Sequence, residues 1–435
     1  MKMSVIGCGY LGAVHAACMV ELGHEVIGID VDQPKVDALN AGTPPFFEPG
    51  FDEILSKNPD RLRFSTTMAD VAEATVHFIT VGTPQTADGA VDMRYVDQAV
   101  TALLPFLKPG DLVVGKSTVP VGTAARLREL VRPTGADLMW NPEFLREGFA
   151  VSDTLSPDRL VYGVHEGDES LVETLDAVFQ PLLERGTPRL VMNLETAELV
   201  KVAANSFLAT KISFINAMAE IADVVGADVT LLADAIGHDE RIGRRFLNAG
   251  IGFGGGCLPK DIRGFVRRAE ELGVGHSVSF LGDVDAINLR RRKRVIEVLD
   301  EELGGLQGRT IGLWGLAFKP NSDDIRDSPA LDIAESLARA GATVQAFDPE
   351  AIGPASRRIQ DKGLESSIVF AESLQDALDG AEALVVATEW SVFTSADPQA
   401  LNPHTNARLV VDGRNCLPAT AWKEAGWRYI GMGRR

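Results

Sequence analysis

At 435 residues the chain is too long for one hydrophobic core, and domains of roughly 100 to 200 residues would divide it into two or three units. Its 42 basic against 61 acidic residues leave a formal charge of −19, which repels phosphate backbones and anionic lipid heads and argues against nucleic acid and membrane partners. With 45% hydrophobic and 24% charged residues, it reads as a folded protein, neither disordered nor fibrous. Cys8, Cys18, Cys257 and Cys416 are too scattered for a disulfide framework or a zinc site, and the histidines fall singly, so no bound metal is expected. The opening MKMSVIGCGYLG lacks the parts of a secretory signal, and the chain has no apolar run long enough for a membrane helix, so a soluble cytoplasmic protein is expected.

In chain order, Lys2 to Ile6 reads as a strand, GCGYLG as a turn into a helix over Leu11 to Leu22, and Glu25 to Asp30 as a second strand after Gly23. Further apolar runs around Ile79 and Val113 alternate with helical stretches, which predicts a parallel sheet covered by helices on both faces. This first doubly wound, Rossmann-like domain is expected to span residues 1–193. From 194 to 304 the period is helical, beginning LETAELVKVAANSFLATKISFINAMAEIADVVG, which predicts an all-helical middle segment with a long helix. Over 305–435 the β-α-β pattern returns: RTIGLWGL is a strand, SPALDIAESLARAG a helix with Ser328 and Pro329 at its start, and ATVQAFDP a strand ending at Asp348. The fold class is therefore α/β, with two doubly wound domains joined by helices.

Gly7, Gly9 and Gly12 spell G-x-G-x-x-G between a strand and a helix, where the backbone can turn tightly and approach a pyrophosphate at the helix's positive end. Asp30 ends the next strand, placed to accept from an adenosine ribose and to repel a 2′-phosphate, which favours NAD over NADP. Lys35, on the helix that follows, reads as a solvated side chain. VGTPQ from Val81 and KSTVPVGT from Lys116 lie where strands meet ligands in such sheets, so Thr83, Ser117 and Thr118 either line a nicotinamide or make ordinary turns. NPEFLREG carries Glu143 and Glu147 behind an Asn141-Pro142 start suited to a helix cap; the pair serves as a general base or steadies that helix end. Lys201 and Asn205 share one face of a helix, either as buried groups needing partners or as part of a solvated stripe. Cys257 in GFGGGCLPKD precedes a helix expected to run from Pro259 to Glu271, and its amides and Lys260 would favour the thiolate that a nucleophile needs, against the alternative of inert packing. Nothing comparable surrounds Cys8, Cys18 or Cys416.

Taken in order, GCGYLG, VGTPQTADGAVD, STVPVGT, NPEFLREG, ELVKVAANSFLATKISFIN, RIGRRFLNAGIGFGGGCLPKD, FKPNSDDIRDSP and VDGRN resemble the UDP-glucose/GDP-mannose dehydrogenase family of nucleotide-sugar dehydrogenases over nearly the whole chain. The resemblance implies oxidation of a nucleotide-sugar primary alcohol to a carboxylate with two successive NAD molecules. It implies that Cys257 captures the aldehyde as a thiohemiacetal that becomes a thioester. It further implies that Lys201 and Asn205 stabilise the oxyanion, that Asp261 and Thr118 orient water and protons, and that Glu143 is the base for hydrolysis. Cofactor contacts carried over are Gly7, Gly9, Tyr10, Leu11, Gly12, Asp30, Lys35, Val81, Thr83, Pro84, Ser117, Thr118, Glu147, Lys260 and Arg326. Substrate contacts are Glu143, Phe144, Leu145, Lys201, Asn205, the loop of Asn248, Gly250, Gly252 and Gly254, then Phe318, Lys319 and Arg414. Members of that family usually dimerise through the helical segment, with Arg241 reaching the partner's diphosphate. Gly256 and Leu258 depart from the serine and phenylalanine that relatives commonly carry.

SPDRLVYG is similar to the UDP-glucose branch, which makes UDP-glucose the expected substrate. GDP-mannose or a UDP-N-acetylhexosamine is the alternative within the family. A non-catalytic NAD-sensing scaffold is the alternative outside it, and would have no use for Cys257, Lys201, Asn205 and Asp261 together.

Overall fold

The computed structural model describes residues 1–406 and 408–434. It divides into two compact units, residues 1–204 with 263–275, and residues 205–262 with 276–435. The helices Leu194–Val225 and Leu258–Glu271 each supply residues to both.

In the first unit eight strands form one sheet: β1 (Lys2–Ile6), β2 (Glu25–Ile29), β3 (Leu62–Ser65), β4 (Val76–Ile79), β5 (Leu112–Gly115), β6 (Asp137–Trp140), β7 (Leu160–Val164) and β8 (Arg189–Asn193). Their order is β3-β2-β1-β4-β5-β6-β7-β8, so the direction of winding reverses between β1 and β4, where such sheets open a crevice for ligands. Sequence periodicity predicts a parallel sheet, and every pair is parallel except β6 with β7, which meet antiparallel at Trp140 and Gly163. A long excursion, 141–159, lies between those two strands and lets the chain re-enter the sheet from the other end. Strands β4 and β5 are buried throughout, the unbroken apolar pattern of a sheet covered on both faces. Helix Tyr10–Glu21 packs its small residues Ala13, Ala16 and Ala17 into the core beneath β1.

The second unit carries the sheet β9 (Thr310–Trp314), β10 (Thr343–Phe347), β11 (Ile368–Phe370), β12 (Ala383–Val386), β13 (Leu409–Asp412) and β14 (Arg428–Gly431). The order is β11-β10-β9-β12-β13-β14 with all pairs parallel, again reversing beside the first strand. Between residues 194 and 304 the described residues form helices without strands, chief among them Leu194–Val225 and Phe280–Leu303. Ser328 caps the helix Pro329–Arg339, its hydroxyl accepting from the Leu331 amide, as the Ser-Pro start predicts. No helix among the described residues is long and apolar enough to cross a membrane.

Candidate active site

The carboxyl ends of β1, β2, β4 and β5 gather Gly7, Gly9, Tyr10, Leu11, Gly12, Asp30, Val81, Thr83, Pro84, Ser117 and Thr118 along one edge of the first sheet, and each glycine has a separate reason to be there. Gly7 has φ +93°, and a Cβ there would stand 2.6 Å from Val81 Cγ1. A Cβ on Gly12 would lie 1.9 Å from the Gly7 carbonyl oxygen, so this glycine lets helix and strand close together. Around Gly9 a Cβ would meet nothing within 4 Å, which leaves open space at the helix's N-terminal end for a pyrophosphate. The hydroxyl of Thr80 donates to the Ile6 and Gly7 carbonyls at 3.0 and 2.8 Å and locks the turn. Asp30 is 8% exposed at the end of β2 and accepts from the Asp32 amide at 3.0 Å. Lys35 is not merely solvated: its Nζ reaches Asp30 at 3.0 Å, a charge drawn to a buried carboxylate. The Asp30 carboxylate could accept from an adenosine ribose, and a pyrophosphate would meet the open backbone at Gly9.

The expected helix at Asn141-Pro142 does not form. Residues 141–146 are irregular, and the helix here is Ala150–Leu155. The Asn141 side chain is spent elsewhere, donating from Nδ2 to the Val161 carbonyl at 2.9 Å and accepting from Lys116 Nζ at 2.8 Å, so it does not cap. The cap comes from Glu48, a buried carboxylate that accepts from the Gly148 and Ala150 amides at 2.6 and 2.7 Å and from the Tyr10 hydroxyl. Glu48 thereby ties the loop that carries Glu143, Phe144, Leu145 and Glu147 to the glycine turn. Glu143 and Glu147 consequently do not share a helix face. Glu143 Oε2 accepts from the Leu145 amide at 2.6 Å, while Oε1 pairs with Lys201 Nζ at 2.9 Å. Lys201 Nζ also sits 5.7 Å from the centroid of the Phe144 ring. Ser117 donates to the Val81 carbonyl at 2.7 Å, linking the ends of β5 and β4.

Lys201 and Asn205 are buried, 5% and 8% exposed, which excludes the solvated stripe. In the second unit Asn205 Nδ2 donates to Asp261 Oδ2 at 2.6 Å, and Lys260 Nζ lies 2.8 Å from Asp261 Oδ1. Cys257 immediately precedes the helix Leu258–Glu271, its carbonyl accepting from the Asp261 amide at 2.9 Å, and its thiol side is exposed. Burial pushes the Cys8 and Cys416 thiols up, with Asp30 and Asp412 adding to the effect, and it pushes Cys18 up as well. Burial thus disfavours the thiolate at all three.

The loop of Asn248, Gly250, Gly252 and Gly254 is pinned through its backbone. The Gly250 amide donates to Asn216 Oδ1 at 2.8 Å, the Phe253 amide to Asn288 Oδ1 at 2.7 Å, and the Ile251 amide to the Gly413 carbonyl at 2.8 Å. Arg414 donates to the carbonyls of Ala387, Gly252 and Phe318 at 2.8, 2.8 and 3.1 Å, so it braces this loop against the edge of the second sheet. Lys319 Nζ stands 5.3 Å from the Phe318 ring centroid. A Cβ on Gly255 would touch that ring at 2.7 Å, and one on Gly256 would meet the Arg326 guanidinium at 2.3 Å. Arg326 itself is paired with Asp324. Arg241 is paired with Asp239, its side chain 89% exposed. The second sheet's counterpart of Asp30 is Asp348, but it accepts from the amides of Leu316, Ala317, Glu350 and Ala351 and from Trp390. That acid is consumed in holding its own turn.

Among the residues that sequence reading passes over, Lys116, Glu48 and Glu198 are buried polar groups inside apolar stretches, and that mismatch is the one signal the sequence offers for them. A cavity of about 330 Å³ opens beside Pro120, Thr123 and Arg126, but its arginines already pair with Asp97, Glu270 and Glu271.

Residues 1–183, 195–290 and 312–419 match the NAD binding, central and UDP binding domains of the UDP-glucose/GDP-mannose dehydrogenase family. The whole chain is 41% identical to the UDP-glucose 6-dehydrogenase of Pseudomonas aeruginosa, covering 98% of it. The chain belongs to the UDP-glucose/GDP-mannose dehydrogenase family. It is also 38% identical to a UDP-glucose 6-dehydrogenase of Bacillus subtilis, covering all of this chain and 98% of that one. Among solved structures it is similar to a UDP-glucose dehydrogenase from Pyrobaculum islandicum, with 38% identity, TM-score 0.90 and coverage of 100% and 98%. A UDP-D-ManNAc dehydrogenase from Pyrococcus horikoshii matches with 25% identity, TM-score 0.85 and coverage of 100% and 99%. As a member of the family the chain is an oxidoreductase that uses NAD.

Proposed function

We propose that this enzyme oxidises the C6 alcohol of UDP-glucose to the carboxylate, giving UDP-glucuronate and two NADH for each sugar. The observation that carries the reading is the exposed Cys257 thiol at the start of the helix Leu258–Glu271, one turn before an Asp261 that Asn205 and Lys260 hold in place. Bound NAD supplies the hydride acceptor. In the first oxidation C6 loses a hydride and the hydroxyl loses a proton, leaving an aldehyde. The Cys257 thiolate then adds to the aldehyde carbon, and Lys201 and Asn205 stabilise the resulting oxyanion. Loss of a second hydride, for which a second NAD would take the place of the first, gives the thioester. Water, activated by Glu143 and oriented by Asp261 and Thr118, cleaves the carbon–sulfur bond and returns the thiol. Covalent capture explains why one catalyst can take an alcohol past the aldehyde without releasing it.

The high identity to UDP-glucose 6-dehydrogenases supports UDP-glucose over GDP-mannose and the N-acetylated sugars. Phe207, Phe214 and Ile221 recur every seven residues as exposed apolar groups on the helix Leu194–Val225, which supports a homodimer formed through that face, with the exposed Arg241 offered to the partner's substrate. A need for NAD, together with the inert burial of Cys8 and Cys18, supports a cytoplasmic setting. The test is NADH formed per UDP-glucose under excess NAD. Two per sugar in the native chain, and no more than one, with no carboxylate formed, in Cys257→Ala with NAD still bound, is the expected result. One per sugar would mean that the reaction stops at the aldehyde, and no turnover with UDP-glucose but turnover with GDP-mannose would reassign the substrate.

A further inference from the structure

Lys116 is a buried charge close to the proposed chemistry that the chemistry leaves without a role. It follows β5, is 7% exposed, and its amide donates to the Ile79 carbonyl at 2.9 Å. Its Nζ donates to Asn141 Oδ1 at 2.8 Å and stands 6.0 and 5.9 Å from the ring centroids of Phe78 and Phe179. The direction of the Asn141 amide is decided by its neighbours: Nδ2 donates to the Val161 carbonyl at 2.9 Å, so the oxygen must face the lysine. The Asn141 backbone amide in turn donates to the Gly115 carbonyl at 2.8 Å. Lys116 and Asn141 thus stitch together the carboxyl ends of β5 and β6 and the start of the antiparallel β7, and Glu143, the partner of Lys201, lies two residues further along.

The charged and titratable groups that act on this ammonium are Glu143 on the loop after β6 and Lys201 on the helix Leu194–Val225. His15 on the helix Tyr10–Glu21 feels Lys116 in turn. Burial, reinforced by Lys201 and opposed by Glu143, pushes Lys116 down to about 8. A methionine of similar length would fill the same space beside two aromatic rings without that desolvation. Stability therefore does not account for a cation here.

We propose that Lys116 is a positioning residue for the oxidation: its ammonium orients the Asn141 amide that anchors the Glu143 loop, and it adds a second positive charge beside the Glu143–Lys201 pair where negative charge develops on the sugar. This rests on the reading of Glu143 and Lys201 as groups that act on the substrate. The test compares Lys116→Met and Lys116→Arg with the native enzyme. Lys116→Met is expected to lose at least tenfold in kcat, to keep its KM for NAD within about twofold, and to unfold at the same or a higher temperature at pH 7, because the desolvation of a buried ammonium is gone. Native kcat/KM falls toward the Lys116→Met value as pH rises through about 8, since the ammonium loses its proton there. Lys116→Arg restores most of kcat and removes that fall, because a guanidinium keeps its proton. Should the arginine fail to fold, convergence of the native and methionine profiles above that pH remains decisive. Unchanged kcat in Lys116→Met, or a loss accompanied by a lower unfolding temperature and no alkaline convergence, overturns the proposal. Full turnover in Glu143→Gln would instead sink the underlying reading, whatever Lys116 does.

Discussion

Glu198 offers the sharpest test of how burial and charge are balanced in the first unit. It lies one turn before Lys201, is 2% exposed, and accepts from the Gly122 and Ala124 amides at 2.7 and 2.6 Å, at the start of the helix Thr123–Val131 that follows Thr118. Desolvation raises its carboxyl from 4.5 to about 7, although the two amides pull the other way. The folded state therefore holds this proton more tightly than the unfolded chain does. The resulting stabilisation is fully present below pH 4.5 and is lost as pH rises through about 7. At about 1.4 kcal/mol for each pH unit, the interval amounts to about 3 kcal/mol. Glu198→Gln cannot ionise, so its stability relative to the native protein should improve by about 2–3 kcal/mol between pH 5 and pH 8.5, whatever the fixed cost of exchanging one acceptor for an amide group. For a unit of this size that is a relative shift of about 5–10 °C in the unfolding midpoint, within reach of calorimetry at four pH values. Parallel stability curves for the two proteins would show that the carboxyl is not perturbed and that the two amides hold it ionised throughout.

Three other substitutions probe the cofactor turn and the second unit. Gly7→Ala places a methyl 2.6 Å from Val81 Cγ1 at φ +93° and should weaken NADH binding by on the order of 1–3 kcal/mol, read by fluorescence titration; unchanged affinity would mean that the turn relaxes freely. Asp30→Asn removes the carboxylate on which Lys35 is paired, and should raise kcat/KM for NADP relative to NAD at least tenfold, because Lys35 then faces a 2′-phosphate without its counter-charge. An unaltered ratio would show that Lys35 does not face that site. Asp261→Asn breaks the arrangement with Asn205 and Lys260 and should lower kcat by about 10²-fold with little change in KM for NAD, in steady-state assays.

How much of this was legible in the sequence depends on the range of the interaction. The β-α-β turns, the caps at Ser328 and Pro329 and the helix after Cys257 follow from propensity and spacing over a few residues, and they appear within a residue or so of where the pattern puts them. The glycine turn and Asp30 were legible because each is a local answer to a local steric or electrostatic demand. The Asn141-Pro142 helix start is the failure that teaches most. Its residues have good helix-starting chemistry, yet Asn141 finds better partners in Lys116 and Val161, while Glu48, roughly a hundred residues away, supplies the cap to a later helix. Nor does anything in the sequence announce that β7 enters antiparallel to β6. Local propensity and spacing suffice for the alternation of strands and helices, the glycine turn and the candidate thiol. Only the tertiary structure decided which buried charges meet: Glu143 with Lys201, Lys116 with Asn141, Glu198 with the amides of Gly122 and Ala124, and Asp261 with Asn205. A buried polar group takes whichever partner the packing brings within about 3 Å, and that choice is set by the crossing of elements far apart in the chain.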